Sequence, residues 1–347
     1  MNSELSSLTV QDLGEQGLLE RVQRFCPAEI IGDDAAILVT EPGQSLVVTT
    51  DMLVDGVHFS HVTTDPEDAG WRAAAANLSD LAAMGATPVG ITIGLGLPGE
   101  VSVSWVERLY QGMTECLQKY HTPIVGGDIV RSPVTTLAIT AFGQAVPNRI
   151  IRRSAAVVGD AIVVTGVHGA AHAGLQLLLH PQLRQNLNDA EHKALIKAHQ
   201  RPQPRLDVLP FLWEILSSQS PILIAGMDSS DGLADAVLQI CRTSRVGAVL
   251  EHRQIPLPVA FDDWLTEDQA LKYALYGGED FELVLCLPKE LANTLVQQLG
   301  QGAAIVGTIT AGSKVLLHDQ QKKFPDQVLS LSQGFQHFID IPPLPEG

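Results

Sequence analysis

Six stretches of the chain set aspartate or glutamate among glycine, serine and threonine, mostly where an apolar run ends. Residues 30–38 (IIGDDAAIL) carry Asp33 and Asp34, and residues 46–51 (LVVTTD) end on Asp51. Residues 77–86 (NLSDLAAMGA) hold Asp80, and residues 123–128 (PIVGGD) end on Asp128. Residues 223–233 (LIAGMDSSDGL) carry Asp228 and Asp231, and residues 276–283 (YGGEDFEL) carry Glu279 and Asp280. One such aspartate is ordinary, because Asp favours turns and helix N-caps. Six with one grammar point to a shared ligand. Carboxylates, threonine hydroxyls and backbone carbonyls are hard oxygen donors, suited to Mg²⁺, Mn²⁺ or Ca²⁺. The D-x-[DN]-x-[DN]-G loop of an EF-hand is absent. Acids scattered along the whole chain suit several Mg²⁺ ions, each held by one or two carboxylates together with phosphate oxygens.

Asp80 is the sharpest case. It falls near the end of an alanine-rich helical run, on the face of Ala73, Ala76 and Asn77 by i−3, i−4 and i−7 spacing. Small residues on that face imply close packing, and the helix dipole opposes a carboxylate at a C-terminus. A buried carboxylate needs a cation. The neighbouring segments supply acids and no Lys or Arg, which favours a metal.

Charge carries the same message. The chain has 39 acidic and 22 basic residues, a formal charge of −17. Such a surface repels nucleic acid and anionic membranes, so neither is an expected partner. It also repels phosphorylated metabolites unless metal ions bridge them. Four dispersed cysteines with no C-x-x-C pair read as reduced thiols, not a zinc site or disulfide framework. The start lacks a signal-peptide pattern and no run is long enough to span a bilayer, so a cytoplasmic location is expected. Residues 94–99 (GLGLPG) match G-x-G-x-x-G, but Pro98 lies inside the motif, so they read as strand and turn. His58 and His61 have no further His or Cys nearby to make a zinc site. Residues 166–169 (GVHG) read as a turn before an anion cradle.

These acids must be positioned by alternating strands and helices. Strands are expected at 45–50, 89–97, 123–125 and 135–145, with helices from Pro66 to Gly85 and over 104–119. A linker at 147–159 (PNRIIRRSAAVVG) separates a second half. There, strands are expected at 161–165, 222–225, 248–251 and 281–287, with helices at 172–179 and 232–240. This predicts an α/β (α+β) chain of two domains, 1–148 and 149–347.

Taken in order, GDDAA, TTDMLVDGVHF, NLSDLAAMGATP, GGDIVRSP, RRS, MDSSDGL and YGGEDFEL cover most of the chain. As a set they resemble the thiamine-monophosphate kinases. That family belongs to a superfamily with aminoimidazole ribonucleotide synthetase, selenophosphate synthetase and a hydrogenase-maturation dehydratase. The resemblance implies an N-terminal mixed sheet with helices that forms a barrel-like core in a homodimer, and a C-terminal α/β domain. It implies that ATP and several Mg²⁺ ions bind in the cleft between domains, and that thiamine monophosphate is phosphorylated to thiamine diphosphate by direct in-line transfer. The implied metal ligands are Asp34, Thr49, Thr50, Asp51, Asp80, Asp128, Asp228 and Asp231. The implied ATP contacts are Gly127, Asp128, Arg153 and Ser230, and the implied substrate contacts are His58 and Glu279. No catalytic residue distinct from the metal ligands is implied. Where the family often carries a C-terminal aromatic, this chain has Ser332, and Phe335 is the nearby candidate for closing the ring pocket. The dehydratase's C-terminal cysteine and the selenophosphate synthetase's N-terminal cysteine are absent. A synthetase-like activity, or a non-catalytic nucleotide and Mg²⁺ binder, are the other readings.

Overall fold

The computed structural model describes residues 8–28, 30, 35–217 and 222–334. The first half runs α1 (Val10–Gln23), β1 (Ser45–Val54), α2 (Pro66–Ala83), β2 (Thr87–Leu97), α3 (Val103–Gln118), β3 (Ile124–Arg131) and β4 (Thr136–Ala145). The second half begins with β5 (Ala161–Val164), α4 (Ala170–Leu179), α5 (Asp189–Gln200), α6 (Val208–Ser217), β6 (Ala225–Asp228) and α7 (Leu233–Ser244). It continues through β7 (Gly247–Glu251), α8 (Glu267–Tyr276), β8 (Leu283–Leu287), α9 (Lys289–Leu299), β9 (Ala304–Thr310), β10 (Val315–His318) and β11 (Gln327–Val328).

The N-terminal sheet has the order β1-β4-β2-β3, antiparallel except for the β2–β3 pair. Its inner face, with Ile91, Ile93, Leu95, Leu137 and Ile139, packs with α2 and α3 in one core. α2 starts after Asp65 with Pro66 at its first turn, followed by Glu67 and Asp68, the arrangement that N-terminal geometry and the dipole favour. It crosses α3 very closely. A Cβ at Gly70 would stand 1.9 Å from the Leu109 carbonyl oxygen, and one at Gly112 would stand 1.8 Å from that of Glu67. Only glycine fits at that crossing.

The outer face of the same sheet is different. Leu46, Val48 and Met52 of β1 are each more than half exposed, as is Val130 of β3.

The C-terminal sheet is seven-stranded and mixed, in the order β11-β10-β7-β9-β5-β8-β6. Its alternating residues feed two cores. Ile162 and Val164 join α7 on one face, and Val163, Leu283, Leu285 and Leu287 join α6 and α9 on the other. The C-terminal end of α2 also enters this second core through Ala82 and Ala83. Among the described residues no helix is long and apolar enough to cross a membrane, and all four cysteines are free thiols.

Some expected boundaries shift. β3 does not stop at Val125, because Gly126, Gly127 and Asp128 continue the parallel ladder opposite Thr92, Ile93 and Gly94. The strand expected at 222–225 lies at Ala225–Asp228. Its pairing with β8 sets Met227 opposite Val284, while the Ile224 carbonyl is taken by the Arg152 amide at 3.2 Å. The GLGLPG segment is the end of β2 and a turn.

Candidate active site

α2 organises the site. Its C-terminal half meets β1 on one side and the end of β6 on the other. The Thr49 hydroxyl donates to Asp80 Oδ2. The Asp51 amide donates to Asn77 Oδ1 at 3.2 Å, and Asn77 Nδ2 donates back to the Ala73 carbonyl at 3.0 Å. Ser79 Oγ donates to Asp228 Oδ2 at 2.6 Å, and Ser230 Oγ lies 3.4 Å from Oδ1 of the same carboxylate. Asn77, Ser79 and Asp228 are buried, while Asp51 and Asp80 are half-buried.

These carboxylates sit in one another's field. Burial first, then the charges of Asp80 and Asp231, push the Asp51 carboxyl up to about 6. Burial, Asp80 and Asp51 push Asp228 up to about 7 against the Ser79 hydrogen bond. Burial raises Asp80, which the Thr49 hydroxyl and the Arg153 charge partly offset. Arg153 corrects the sequence reading, which saw no basic group near Asp80. It arrives from the linker, in the short turn Arg153–Ala155.

The shift of Asp228 makes a signed prediction. A carboxyl whose folded pKa is raised binds its proton more tightly folded than unfolded, so it costs stability as pH climbs from about 4 to about 7. Buried His168 and His199 are shifted down and act in the opposite direction. The clean readout is therefore a difference. In EDTA, Asp228→Asn gains Tm relative to the unsubstituted protein at pH 7.5, and that gain shrinks toward pH 4.5. A gain that is largest at pH 4.5 contradicts the reading.

A second cluster lies two turns earlier on α2. Buried Arg72 donates to the His58 carbonyl at 3.0 Å, to the His199 carbonyl at 2.7 Å and to Glu279 Oε1. The Val54 amide donates to His58 Nδ1 at 3.1 Å. Glu279 holds a φ of 71° and Phe281 one of 53°, conformations that cost a non-glycine residue and mark an over-determined turn. Between them, the Asp280 carboxylate accepts from the amides of Gly169 and Ala171 at 2.6 and 2.8 Å. The GVHG turn thus opens α4 onto a carboxylate of the chain itself.

The remaining sequence candidates are spread. Thr50 and Asp128 lie on the outer face of the N-terminal sheet. In register, Asp128, Gly94, Ala138 and Met52 form one row, and Asp51, Ile139, Ile93 and Gly127 form the adjacent one. Asp51 and Asp128 are therefore on opposite faces and opposite edge strands. Gly127 and Asp128 help line a cavity of about 170 Å³ with Cys26, Ala35, Ala36 and Tyr110. Asp231 is exposed in the loop after β6. Ser332 is exposed in the turn Leu331–Gln333. Asp33, Asp34 and Phe335 lie outside the described residues.

Sequence reasoning missed Arg72, Ser79 and His199. Arg72 carried a signal, being the one charge inside the run WRAAAANL. Ser79 and His199 carried none, because their partners are 149 and 127 residues away.

The donor set, carboxylates and hydroxyls with carboxyls pushed upward by burial and repulsion, fits a hard divalent cation. Among the described residues no three His, Cys, Asp or Glu side chains enclose an ion by themselves.

The profile described as AIR synthase related protein, N-terminal domain, matches residues 32–145, and the C-terminal domain profile matches residues 157–319. The thiamine-monophosphate kinase of Synechococcus elongatus (strain ATCC 33912 / PCC 7942 / FACHB-805) is 53% identical over 335 residues, covering 96% of this chain and 99% of that protein. The chain belongs to the thiamine-monophosphate kinase family. Solved structures of this family agree in fold. That of the Stenotrophomonas maltophilia K279a thiamine-monophosphate kinase is 33% identical with a TM-score of 0.74, covering 87% of this chain and 95% of that one. AaThiL complexed with AMPPCP and TMP is 30% identical with a TM-score of 0.69, covering 92% and 97%. Membership makes the chain a phosphotransferase, and the chain shares its α/β fold with these solved structures.

Proposed function

We propose that this protein transfers the γ-phosphoryl group of ATP to the phosphate of thiamine monophosphate, giving thiamine diphosphate and ADP by direct in-line transfer. The observation that carries this is the spacing of two clusters on one helix. Asp80 and Arg72 stand eight positions apart, about 12 Å along α2. That separation suits an acceptor with a ring at one end and a phosphate at the other. Glu279 and His58 would hold the ring, and Thr49, Asp51, Asp80, Asp228 and Asp231 would hold Mg²⁺ with the phosphates. Mg²⁺ bound there would neutralise and align two polyanions, which is most of what phosphoryl transfer requires. The acceptor phosphate is already ionised at neutral pH, so the chain need supply no general base. Arg153 and Ser230 border the acidic cluster and would contact ATP, as would Gly127 and Asp128. The halves 1–148 and 149–347 would then close on one cleft.

We assign the outer face of the N-terminal sheet to a second copy of the chain. Its exposed Leu46, Val48 and Met52 form an apolar stripe of the kind that marks an interface. Thr50 and Asp128 on that face would join the cleft of the partner subunit.

Purified protein with ATP, Mg²⁺ and thiamine monophosphate should yield thiamine diphosphate, and EDTA should abolish the reaction. Free thiamine should be a poor acceptor, since it lacks the attacking phosphate. Equal phosphorylation of thiamine, or nucleotide binding without turnover, would remove this reading.

A further inference from the structure

Arg72 is an arginine within an alanine helix, only 2% exposed. A buried guanidinium is costly unless its donors are satisfied, so its partners reveal what it is for. Nη2 alone donates to both the His58 carbonyl and the Glu279 carboxylate. Nη1 donates to the His199 carbonyl and stands 3.1 Å from His199 Nδ1. The His199 ring lies in turn 3.5 Å from Glu279 Oε2. Burial and the Arg72 charge keep that ring neutral, so it packs beside Glu279 without competing as a cation. One planar fork thus grips residues from both halves of the chain.

We infer that Arg72 is the positioning residue of the acceptor subsite, fixing the Glu279 carboxylate and the His58 backbone at one separation. The inference rests on the reading of His58 and Glu279 as thiamine monophosphate contacts. Glu279 needs such a hold. Its backbone is in the left-handed region, which non-glycine residues leave unless surrounding structure fixes them. Its side chain is one-third exposed. With Oε1 tied to Arg72, Oε2 is the oxygen that can meet an N–H or a cationic ring of the acceptor. Lysine cannot replace this arrangement, because an ammonium is a point charge without the two-pronged geometry.

Arg72→Lys, Arg72→Gln and Glu279→Gln, with the two double variants, test this in the full-length protein. Arg72→Lys should raise KM for thiamine monophosphate by about tenfold or more, the scale of one charge-assisted hydrogen bond. KM for ATP should stay within about twofold. In the Glu279→Gln background the same substitution should cost less than it does alone, because part of its effect runs through that carboxylate. The inference is overturned if KM for thiamine monophosphate is unchanged, if both KM values rise together, or if the losses in the two singles simply add. It is also overturned if neither Arg72 variant folds, judged by ATP binding, since Arg72 would then be a structural tie. An unsubstituted protein that fails to phosphorylate thiamine monophosphate defeats the functional reading itself, a separate and recognisable result.

Discussion

Asp80→Asn lowers turnover by at least about a hundredfold, nearly 3 kcal/mol in barrier height, while Tm in EDTA holds or rises. The substitution is nearly isosteric and leaves an amide oxygen to accept the Thr49 hydroxyl, so the local hydrogen bond survives. What disappears is one negative charge at a half-buried position already raised by burial. In the metal-free protein that charge is a burden, since it also raises Asp51 and Asp228. Removing it relieves all three. With Mg²⁺ and phosphates in place the same charge would become an asset, because it would hold the cation that draws two polyanions together. Opposite signs for stability and activity are what a metal-holding carboxylate produces. Turnover within a few-fold of the unsubstituted enzyme at saturating Mg²⁺ would remove Asp80 from the metal set. Lost activity with a sharply lower Tm in EDTA would make it a structural residue instead.

The sequence carried the acidic grammar and much of the N-terminal half. The β1, α2, β2, α3 and β4 segments alternate or repeat clearly, and Pro66 and Gly85 punctuate α2 where they should. β3 was cut short because Gly126-Gly127 reads as a turn, whereas its ladder partners on β2 keep it extended. β6 was displaced because 222–225 is the more apolar stretch, but pairing with β8 decides the register. α1, α5, α6, α8, α9, β9, β10 and β11 have no counterpart among the elements expected from sequence. α5 and α8 are amphipathic covers whose capping boxes at Asn188 and Thr266 were the available signal. In the site, the individual acids were legible, and their grouping was not. Nothing local says that Asp80 faces Thr49, that Ser79 faces Asp228, or that Arg72 reaches Glu279 across 207 residues. Those are products of folding two halves onto one helix.

A mixture of two inactive variants should regain activity. Asp51→Asn and Asp128→Asn each remove a carboxylate assigned to the same metal and phosphate site. Within one chain they stand on opposite faces of the N-terminal sheet and on its two edge strands, β1 and β3. Three interstrand spacings separate those edges, about 14 Å before the thickness of the sheet is added. One copy does not readily bring both to a single ion. A second copy packed on the outer face and reaching round the β1 edge would present its own Asp128 beside Asp51, because that face carries Asp128 together with the apolar stripe of Leu46, Val48 and Met52. Closed two-fold pairing is also the commonest assembly. In a heterodimer of the two variants, one site then lacks both carboxylates and the other has both. Random exchange makes half the dimers mixed, each with one intact site of two, so activity should return to about a quarter of the unsubstituted level. Light scattering should show a dimer at micromolar concentration, and differently tagged chains should confirm that exchange occurred. Verified heterodimers that stay inactive would place Asp51 and Asp128 in one chain's site. A monomer by light scattering would leave the outer face without the second copy assigned to it.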